Sequence, residues 1–219
     1  MPHGVKIAGR AAPPMLALAL LVGHAIAANP AAAKNPQASK NSSGQHRVVV
    51  WNGETANVGG GWVNPTRSTF GPQTIEAHSG SSALEFKFSG DNEWIGAGWN
   101  WFNFKTGDDI GTDVSGLETF SFWIKVRGKP VQFRLNLQCN GAVLDTPEQH
   151  STRIDVLTYA PDIFDGNWHE VRVPLRDLVE SKGFNPHNVS QIQLDLTVGA
   201  DTQNSFFIDD ISFDNRPST

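Results

Sequence analysis

The sequence is poor in cysteine and in charged residues, and each of these shortages excludes a class of protein. One cysteine among 219 residues rules out an intramolecular disulfide and leaves too few thiolates for a cysteine-based zinc site. A net charge of -5 at pH 7 argues against nucleic acid as the main partner, because phosphate binding requires a basic surface. Charged residues at 18% and hydrophobic residues at 39% are typical of a globular domain rather than a disordered or membrane-embedded chain.

Long hydrophobic runs are also missing, and the apolar stretch at 15–22 is too short to span a bilayer. Lys6 and Arg10 precede it, and Ala25-Ile26-Ala27 follows it with the small residues that signal peptidase recognises. These features predict a cleaved signal peptide over residues 1–27 and a mature chain that begins near Ala28. We therefore expect a secreted or periplasmic protein with no membrane attachment after cleavage.

The next segment, residues 28–46, contains no aromatic and no β-branched residue. Such a composition cannot bury enough apolar surface to offset the entropy of ordering, so we expect a flexible tether. The folded unit is then predicted to span residues 47–217, which is long enough for one sizeable core.

Period-two alternation dominates that unit and predicts an all-β fold, an antiparallel β-sandwich of the jelly-roll type. In 131–139, for example, Phe133, Leu135 and Leu137 face one way, and Cys139 follows them as a small buried hydrophobe. One short helix is expected within 174–183. The alternating segments are 83–88, 120–126, 131–139, 169–175, 190–198 and 206–213.

The polar sides of two of these strands are rich in amides. One side carries Arg134, Asn136 and Gln138, and the other carries Gln191, Gln193 and Asp195. Amide and guanidinium groups offer paired donors and acceptors in one plane, which suits the vicinal hydroxyls of sugars. The alternative is an ordinary solvated face that happens to be rich in glutamine.

The chain has 7 Trp and 13 Phe but a single Tyr. Trp62 follows three glycines, and Trp94, Trp99 and Trp101 lie in one short stretch, where Trp99 and Trp101 share a face of a regular strand. A flat indole can stack on the apolar face of a sugar, so these four are candidate stacking platforms. For each of them, packing in the core is the competing interpretation.

Five segments of the chain occur in a characteristic order: VVVWNGE (48–54), HSGSSALEF (78–86), DVSGLETFSFWIKV (113–126), NWHEVRVPLRDL (167–178) and FFIDDISF (206–213). Together they resemble the galactose-binding-like jelly-roll superfamily. Within it, the chain is similar to carbohydrate-binding modules such as families 11, 4 and 22, and to the domain of complex-I-intermediate-associated proteins. This resemblance implies a concave sheet face that binds a β-glucan or xylan chain, here through Arg134, Asn136, Gln138 and Asp195.

The same resemblance implies a structural calcium ion that ties the first strand to the last. Its acidic ligands would be Glu54 and Asp209, with Asp210 as an alternative to Asp209. Carbonyl oxygens around Asn52 and 78–79 would complete the oxygen shell that calcium requires.

Two other functions stay open at this point. A polysaccharide-degrading enzyme needs two facing carboxylates, for which Asp195 with Glu170 or Glu85 are the candidates. However, the sequence has no GxSxG, HExxH or phosphate-binding glycine motif. The third possibility is a protein-interaction domain of the same fold. We expect a monomer in each case.

Overall fold

The computed structural model describes residues 38–40, 46–53, 59–64, 68–90, 94–102, 104, 111–139, 149–197 and 202–216. The predicted signal peptide at 1–27 lies outside the described residues. Within the predicted tether, Ala38–Lys40 forms a strand that pairs with His46–Trp51, which differs from a tether running through to residue 46.

Two antiparallel sheets pack face to face and confirm the predicted all-β sandwich. Antiparallel sheets place apolar residues on one face and polar residues on the other, which is the alternation in the sequence. Seven strands form one sheet: β1 (Ala38–Lys40), β2 (His46–Trp51), β4 (Thr69–Gln73), β5 (Ala83–Gly90), β7 (Thr119–Arg127), β10 (Trp168–Pro174) and β12 (Thr202–Asp214). The five-stranded sheet has the order β3 (Gly60–Asn64), β6 (Trp94–Asn100), β11 (Val189–Thr197), β8 (Gln132–Cys139) and β9 (Ile154–Asp155).

The core lies between the two sheets and contains the side chains that alternation predicted to point inward. Phe133, Leu135, Leu137 and Cys139 of β8 are fully buried, and so are the inner residues of β5 and β7. Phe206 of β12 packs against Phe133 with ring centroids 4.7 Å apart, which joins the two sheets at the centre of the sandwich.

The short helix α1 (Leu175–Val179) lies within the predicted segment 174–183 and buries Leu175 and Leu178. Pro174 precedes it and ends β10, as expected of a residue that cannot donate a backbone hydrogen bond. Among the described residues, no helix is long and apolar enough to cross a membrane.

Trp99 and Trp101 pack in the core. This finding corrects the expectation that their rings are offered to a sugar. Both are only 4% exposed. Trp99 makes edge contacts with Trp51 at 5.4 Å and Phe70 at 6.2 Å between ring centroids. Trp101 donates its indole N–H to Thr112 Oγ1 at 3.2 Å. The physical reason is the register of β6, in which 95, 97 and 99 face the core and glycines occupy outer positions 96 and 98.

Replacing Trp99 with alanine is therefore predicted to lower the free energy of unfolding by about 3–5 kcal/mol, because it leaves a large cavity between the sheets. Ile75→Ala is the control: Ile75 is 81% exposed, and this change is expected to alter stability by less than about 0.5 kcal/mol. Denaturant unfolding of the two variants measures both values. A Trp99→Ala protein as stable as the parent would contradict the core assignment.

Candidate functional site

Polar side chains cover the outer face of the five-stranded sheet in rows set by strand register. One row runs from Trp62 on β3 through Gly98 on β6 and Gln193 on β11 to Asn136 on β8. The rows on either side carry Asn100, Gln191 and Gln138, and Gly96, Asp195 and Arg134. The same strands turn their alternate residues into the core, so the pleat alone brings these polar groups together.

Hydrogen bonds join the amides of this face into one network. Gln138 Oε1 accepts from Gln191 Nε2 at 2.8 Å and from Gln193 Nε2 at 3.2 Å. Asn136 Nδ2 donates to Gln193 Oε1 and to His150 Nδ1, both at 3.0 Å. A polar group that is buried without a partner costs free energy, and these bonds offset much of that cost. The network also fixes the amide planes before any ligand arrives.

A carboxylate held by two guanidinium groups lies beside the network. Asp195, whose side chain is 3% exposed, forms ion pairs through Oδ2 with Arg153 at 2.8 Å and with Arg134 at 3.4 Å. A buried acid is expected to be paired, and the two arginines meet that requirement. The side chains of Arg134 and Arg153 stay 32% and 48% exposed, so both can also reach a ligand.

The Trp62 ring reaches over β6 because residue 98 of that strand is glycine. A Cβ atom at Gly98 would overlap Trp62 Nε1 and would stand 3.1 Å from Gln191 Nε2. Trp62 is partly buried, so some of its surface is open to solvent at the edge of the amide network. This arrangement provides a flat apolar surface next to hydrogen-bonding groups.

The structure therefore brings together five of the eight predicted ligand-binding residues, with Trp62 on the edge strand β3 and the other four, Arg134, Asn136, Gln138 and Asp195, on β8 and β11. Asn136, Gln138 and Asp195 are almost fully buried, which differs from the open polar face that alternation suggested. Backbone register places Trp94 opposite Thr197 on an outer row, and its side chain is not described. Trp99 and Trp101 lie on the other side of the sheet, in the core.

Sequence reasoning missed Arg153, His150 and the role of Gly98. Arg153 and His150 precede the two-residue strand β9, which is too short to show alternation. Gly98 belongs to the alternating stretch of β6, but a glycine in that pattern does not reveal which aromatic ring lies above it. Gln191 and Gln193 carried a usable signal, since alternation had already placed them on this face.

The acids proposed as catalytic partners of Asp195 lie elsewhere. Glu85 is on β5 and Glu170 is on β10, and both strands belong to the seven-stranded sheet. Glu170 is ion-paired with Arg172 at 3.3 Å and with Arg216 at 3.2 Å. The expectation that Glu85 or Glu170 faces Asp195 across a cleft is therefore wrong.

Asp209 is the described member of the predicted calcium site, and Glu54 lies outside the described residues. Asp209 Oδ2 accepts from the backbone amides of His78 at 2.9 Å and Ser79 at 3.2 Å, and Oδ1 accepts from that of Asp210 at 2.8 Å. Residues 78–79 thus direct backbone N–H groups at Asp209, whereas the resemblance implied that backbone carbonyl oxygens at these positions would bind calcium. Asp210 is engaged separately, by His78 Nδ1 at 2.7 Å and Ser79 Oγ at 2.8 Å.

Burial raises the pKa of the Asp209 carboxyl above its usual range, and the nearby charge of Asp210 adds to this effect, while the three amides act against it. A cation beside Asp209 would offset the cost of the buried charge. Over the described part of the chain, no three histidine, cysteine, aspartate or glutamate side chains are grouped as a metal site.

Comparison with known structures shows the same fold. The family 30 carbohydrate-binding module of the cellulosomal cellulase Cel9D-Cel44B of Clostridium thermocellum is 19% identical, with a TM-score of 0.58 over 78% of this chain and 98% of the module. A family 11 module from Clostridium thermocellum in complex with a β-1,3-1,4-mixed-linked tetrasaccharide is 13% identical, with a TM-score of 0.51 over 79% and 98%. A β-1,2-glucanase from Parabacteroides distasonis is 16% identical, with a TM-score of 0.51 over 70% of this chain but 21% of the glucanase.

The comparison with curated proteins gives no match. The family model for carbohydrate binding domain 30 matches residues 41–215, which is most of the chain and includes every described strand except β1. This match confirms the resemblance to carbohydrate-binding modules, although family 30 is not one of the three families that the sequence motifs suggested. The chain belongs to the carbohydrate binding domain 30 family, and it is a β-sandwich carbohydrate-binding module.

Proposed function

We propose that this module binds a polysaccharide of the β-glucan or xylan class on the outer face of its five-stranded sheet, without cleaving it. The observation that carries the proposal is the linked set of amides on that face, Asn136, Gln138, Gln191 and Gln193, bounded by Trp62 and by the arginines around Asp195. Such a face matches the regular hydroxyls of an uncharged glycan.

The family 11 structure in complex with a mixed-linked tetrasaccharide supports the glucan class for this chain. The internal pairing of charges supports it as well, because Asp195 is already neutralised by two guanidinium groups. A glycan that carried carboxylates or sulfates would gain from the arginines but would have to lie close to Asp195. We therefore favour a neutral chain.

The affinity is expected to be modest. Each hydrogen bond to a sugar hydroxyl replaces one to water and contributes about 1 kcal/mol, or somewhat more for a charged donor such as Arg134. Together with the apolar area that Trp62 provides, these contacts suit dissociation constants from micromolar to millimolar, or about −8 to −4 kcal/mol.

A glycan array on the secreted form of the chain tests the proposal directly, with mixed-linked glucan, cellulose fragments and xylan as probes. Release of reducing sugar from the same samples separates binding from hydrolysis. We expect retention of at least one of these glycans and no release. Release would favour the polysaccharide-degrading alternative, and retention of none of them would favour a protein-interaction role.

Arg134→Ala is predicted to weaken glycan binding by about tenfold to hundredfold, the loss expected for a charged hydrogen bond. The melting temperature should not change, because Arg153 still pairs with Asp195 and Phe133 and Leu135 still fill the core. Affinity electrophoresis in glucan-containing gels measures the effect. The matched control is Arg176→Ala, whose side chain is 82% exposed on α1. Equal retention of both variants would contradict this assignment.

Gly98→Ala is predicted to weaken binding about as much as Trp62→Ala does, because the added methyl group displaces the indole from the face. The backbone of β6 should tolerate alanine, so the variant should remain folded. Gly71→Ala is the control, since a Cβ there meets nothing within 4 Å. Isothermal titration with the preferred oligosaccharide measures all three proteins. If Trp62→Ala lost affinity while Gly98→Ala kept it, Gly98 would not position the ring.

We also propose that Asp209, together with Glu54, holds a structural calcium ion. The support is the burial of Asp209 and the pairing of Trp51 with Ile211, which brings the chain just before Glu54 beside the segment that carries Asp209. The bound ion would join these two segments of the seven-stranded sheet.

Calcium at a hundredfold excess over its dissociation constant is predicted to raise the stability by about 2.7 kcal/mol and the melting temperature by about 5–10 °C. Asp209→Asn should abolish this response, and Asp165→Asn, which changes an exposed carboxylate, should keep it. Thermal melts with calcium and with chelator measure the shift. Melting curves of the parent chain that are the same with calcium and with chelator would rule out the calcium site.

Finally, we propose that the protein acts outside the cytoplasm. The basic start, the short apolar run and Ala25-Ile26-Ala27 support this proposal. A location outside the cell is also where a polysaccharide ligand would be encountered.

A further inference from the structure

A basin on the opposite side of the sandwich is not used by the function proposed above. It lies on the outer face of the seven-stranded sheet and has a volume of about 250 Å³. Its lining residues are Arg47, Ser121, Trp123, Glu170, Asp210 and Arg216, and we call it the Trp123 basin. The amide network faces away from it, so the two sites cannot share one sugar ring.

Two serines explain why the sheet has a depression here. Ser121 of β7 and Ser212 of β12 are paired across the strands, are almost fully buried, and have hydroxyl groups 3.1 Å apart. Their neighbours on the same face are much larger, with Trp123 two residues along β7. Because these small side chains lie between large ones, the surface is depressed here, and the two serine hydroxyl groups form the floor of the depression.

Trp123 is held in a fixed orientation beside this floor. His78 stacks on its ring at 3.7 Å between centroids with an interplanar angle of 12°. His78 is fixed in turn by Asp210 at 2.7 Å and by the edge of Trp168 at 5.7 Å. An aromatic ring that is already immobilised loses little entropy when a ligand packs against it.

Two arginines and two acids line the basin, so its formal charges balance, and all of them except Arg47 are paired with a charged or titratable group of the protein. Glu170 lies 3.2 Å from Arg216, whose Nε is 2.6 Å from Asp214. Arg47 donates to Ser212 Oγ at 3.2 Å, while its buried Nε has no partner among the described residues. A ligand therefore needs no net charge, but it must offer several donors and acceptors. Hydroxyl groups on a compact ring meet both conditions.

We propose that the Trp123 basin is a second carbohydrate site, which takes a single neutral sugar ring such as the end of a glycan chain. Its volume lies below the range of about 300–1,000 Å³ that is typical of pockets for larger ligands, and this favours one ring over an extended segment. The module would then bind the interior of a chain on one face and a chain end on the other. This inference does not rest on the glucan proposal, because the two sites share no residue.

The test is a titration of the isotope-labelled full chain with neutral monosaccharides, namely glucose, xylose, galactose and mannose, followed by nuclear magnetic resonance. The indole N–H of Trp123, assigned by its loss in Trp123→Phe, should shift with at least one sugar and reach saturation at millimolar concentrations. The shift should persist in Trp62→Ala, which disables the other face. Absence of a shift with all four sugars, or its loss in Trp62→Ala, would overturn the proposal.

Matched variants identify the ring that contributes. Trp123→Phe should weaken the sugar response of the Arg216 Nε–H resonance by about twofold to tenfold, and Trp168→Phe, which alters the same aromatic cluster outside the basin, should leave it unchanged. Asp210→Asn gives a second test if Trp123→Phe unfolds, since asparagine tolerates the positive φ of 51° at that position. Unchanged sugar affinity in Asp210→Asn and in every folded Trp123 variant would contradict the assignment.

An anion is the competing ligand, because two arginines line the basin. Inorganic phosphate is therefore titrated in parallel. The basin should respond to neutral sugar and not to phosphate, since Glu170 and Asp210 oppose a negative charge there. A response to phosphate alone would show an anion site and overturn the carbohydrate assignment.

Discussion

Strand β11 lies at the centre of the five-stranded sheet, and its alternation serves the core and the candidate site at once. Ile192, Leu194 and Leu196 fill the space between the sheets, and the residues between them carry the outer amides and Asp195. Because side chains alternate between the two faces of a strand, a slip of one residue would turn the amides into the core and the leucines onto the outer face. The register of β11 with β6 and β8 therefore decides both whether the domain folds and which groups meet on its outer face.

The amides on the outer face of the five-stranded sheet hold one another in place. They are nearly buried, and each buried polar group must find a hydrogen-bond partner or incur a desolvation cost. Mutual hydrogen bonding supplies most of these partners, while Gln191 Oε1 stays without one among the described residues. Amide planes that are already fixed would lower the entropic cost of binding a glycan on this face.

The sequence alone predicted the strands well, because their alternation reports directly on burial, and β7, β8 and β11 lie within one or two residues of the predicted bounds. It also placed Arg134, Asn136, Gln138 and Asp195 on one face. The tryptophans were harder to assign. β6 has glycines on its outer side and Ile95, Ala97 and Trp99 on its inner side. Because neither side of this strand is polar, its composition does not show whether a tryptophan is a sugar platform or a core residue. Contacts between distant segments, such as Arg153 with Asp195 and Trp62 over Gly98, depend on tertiary packing that no local pattern encodes.

The central claim is that a glycan lies on the amide face of the five-stranded sheet. The side-chain NH₂ resonances of the labelled chain test it most directly during titration with a mixed-linked β-glucan oligosaccharide. The account predicts saturable shifts for Asn136, Gln138, Gln191 and Gln193. It predicts none for Asn204, which lies on β12 in the other sheet and is hydrogen-bonded to the backbone of Lys129. Binding that leaves the first four resonances in place would contradict the account.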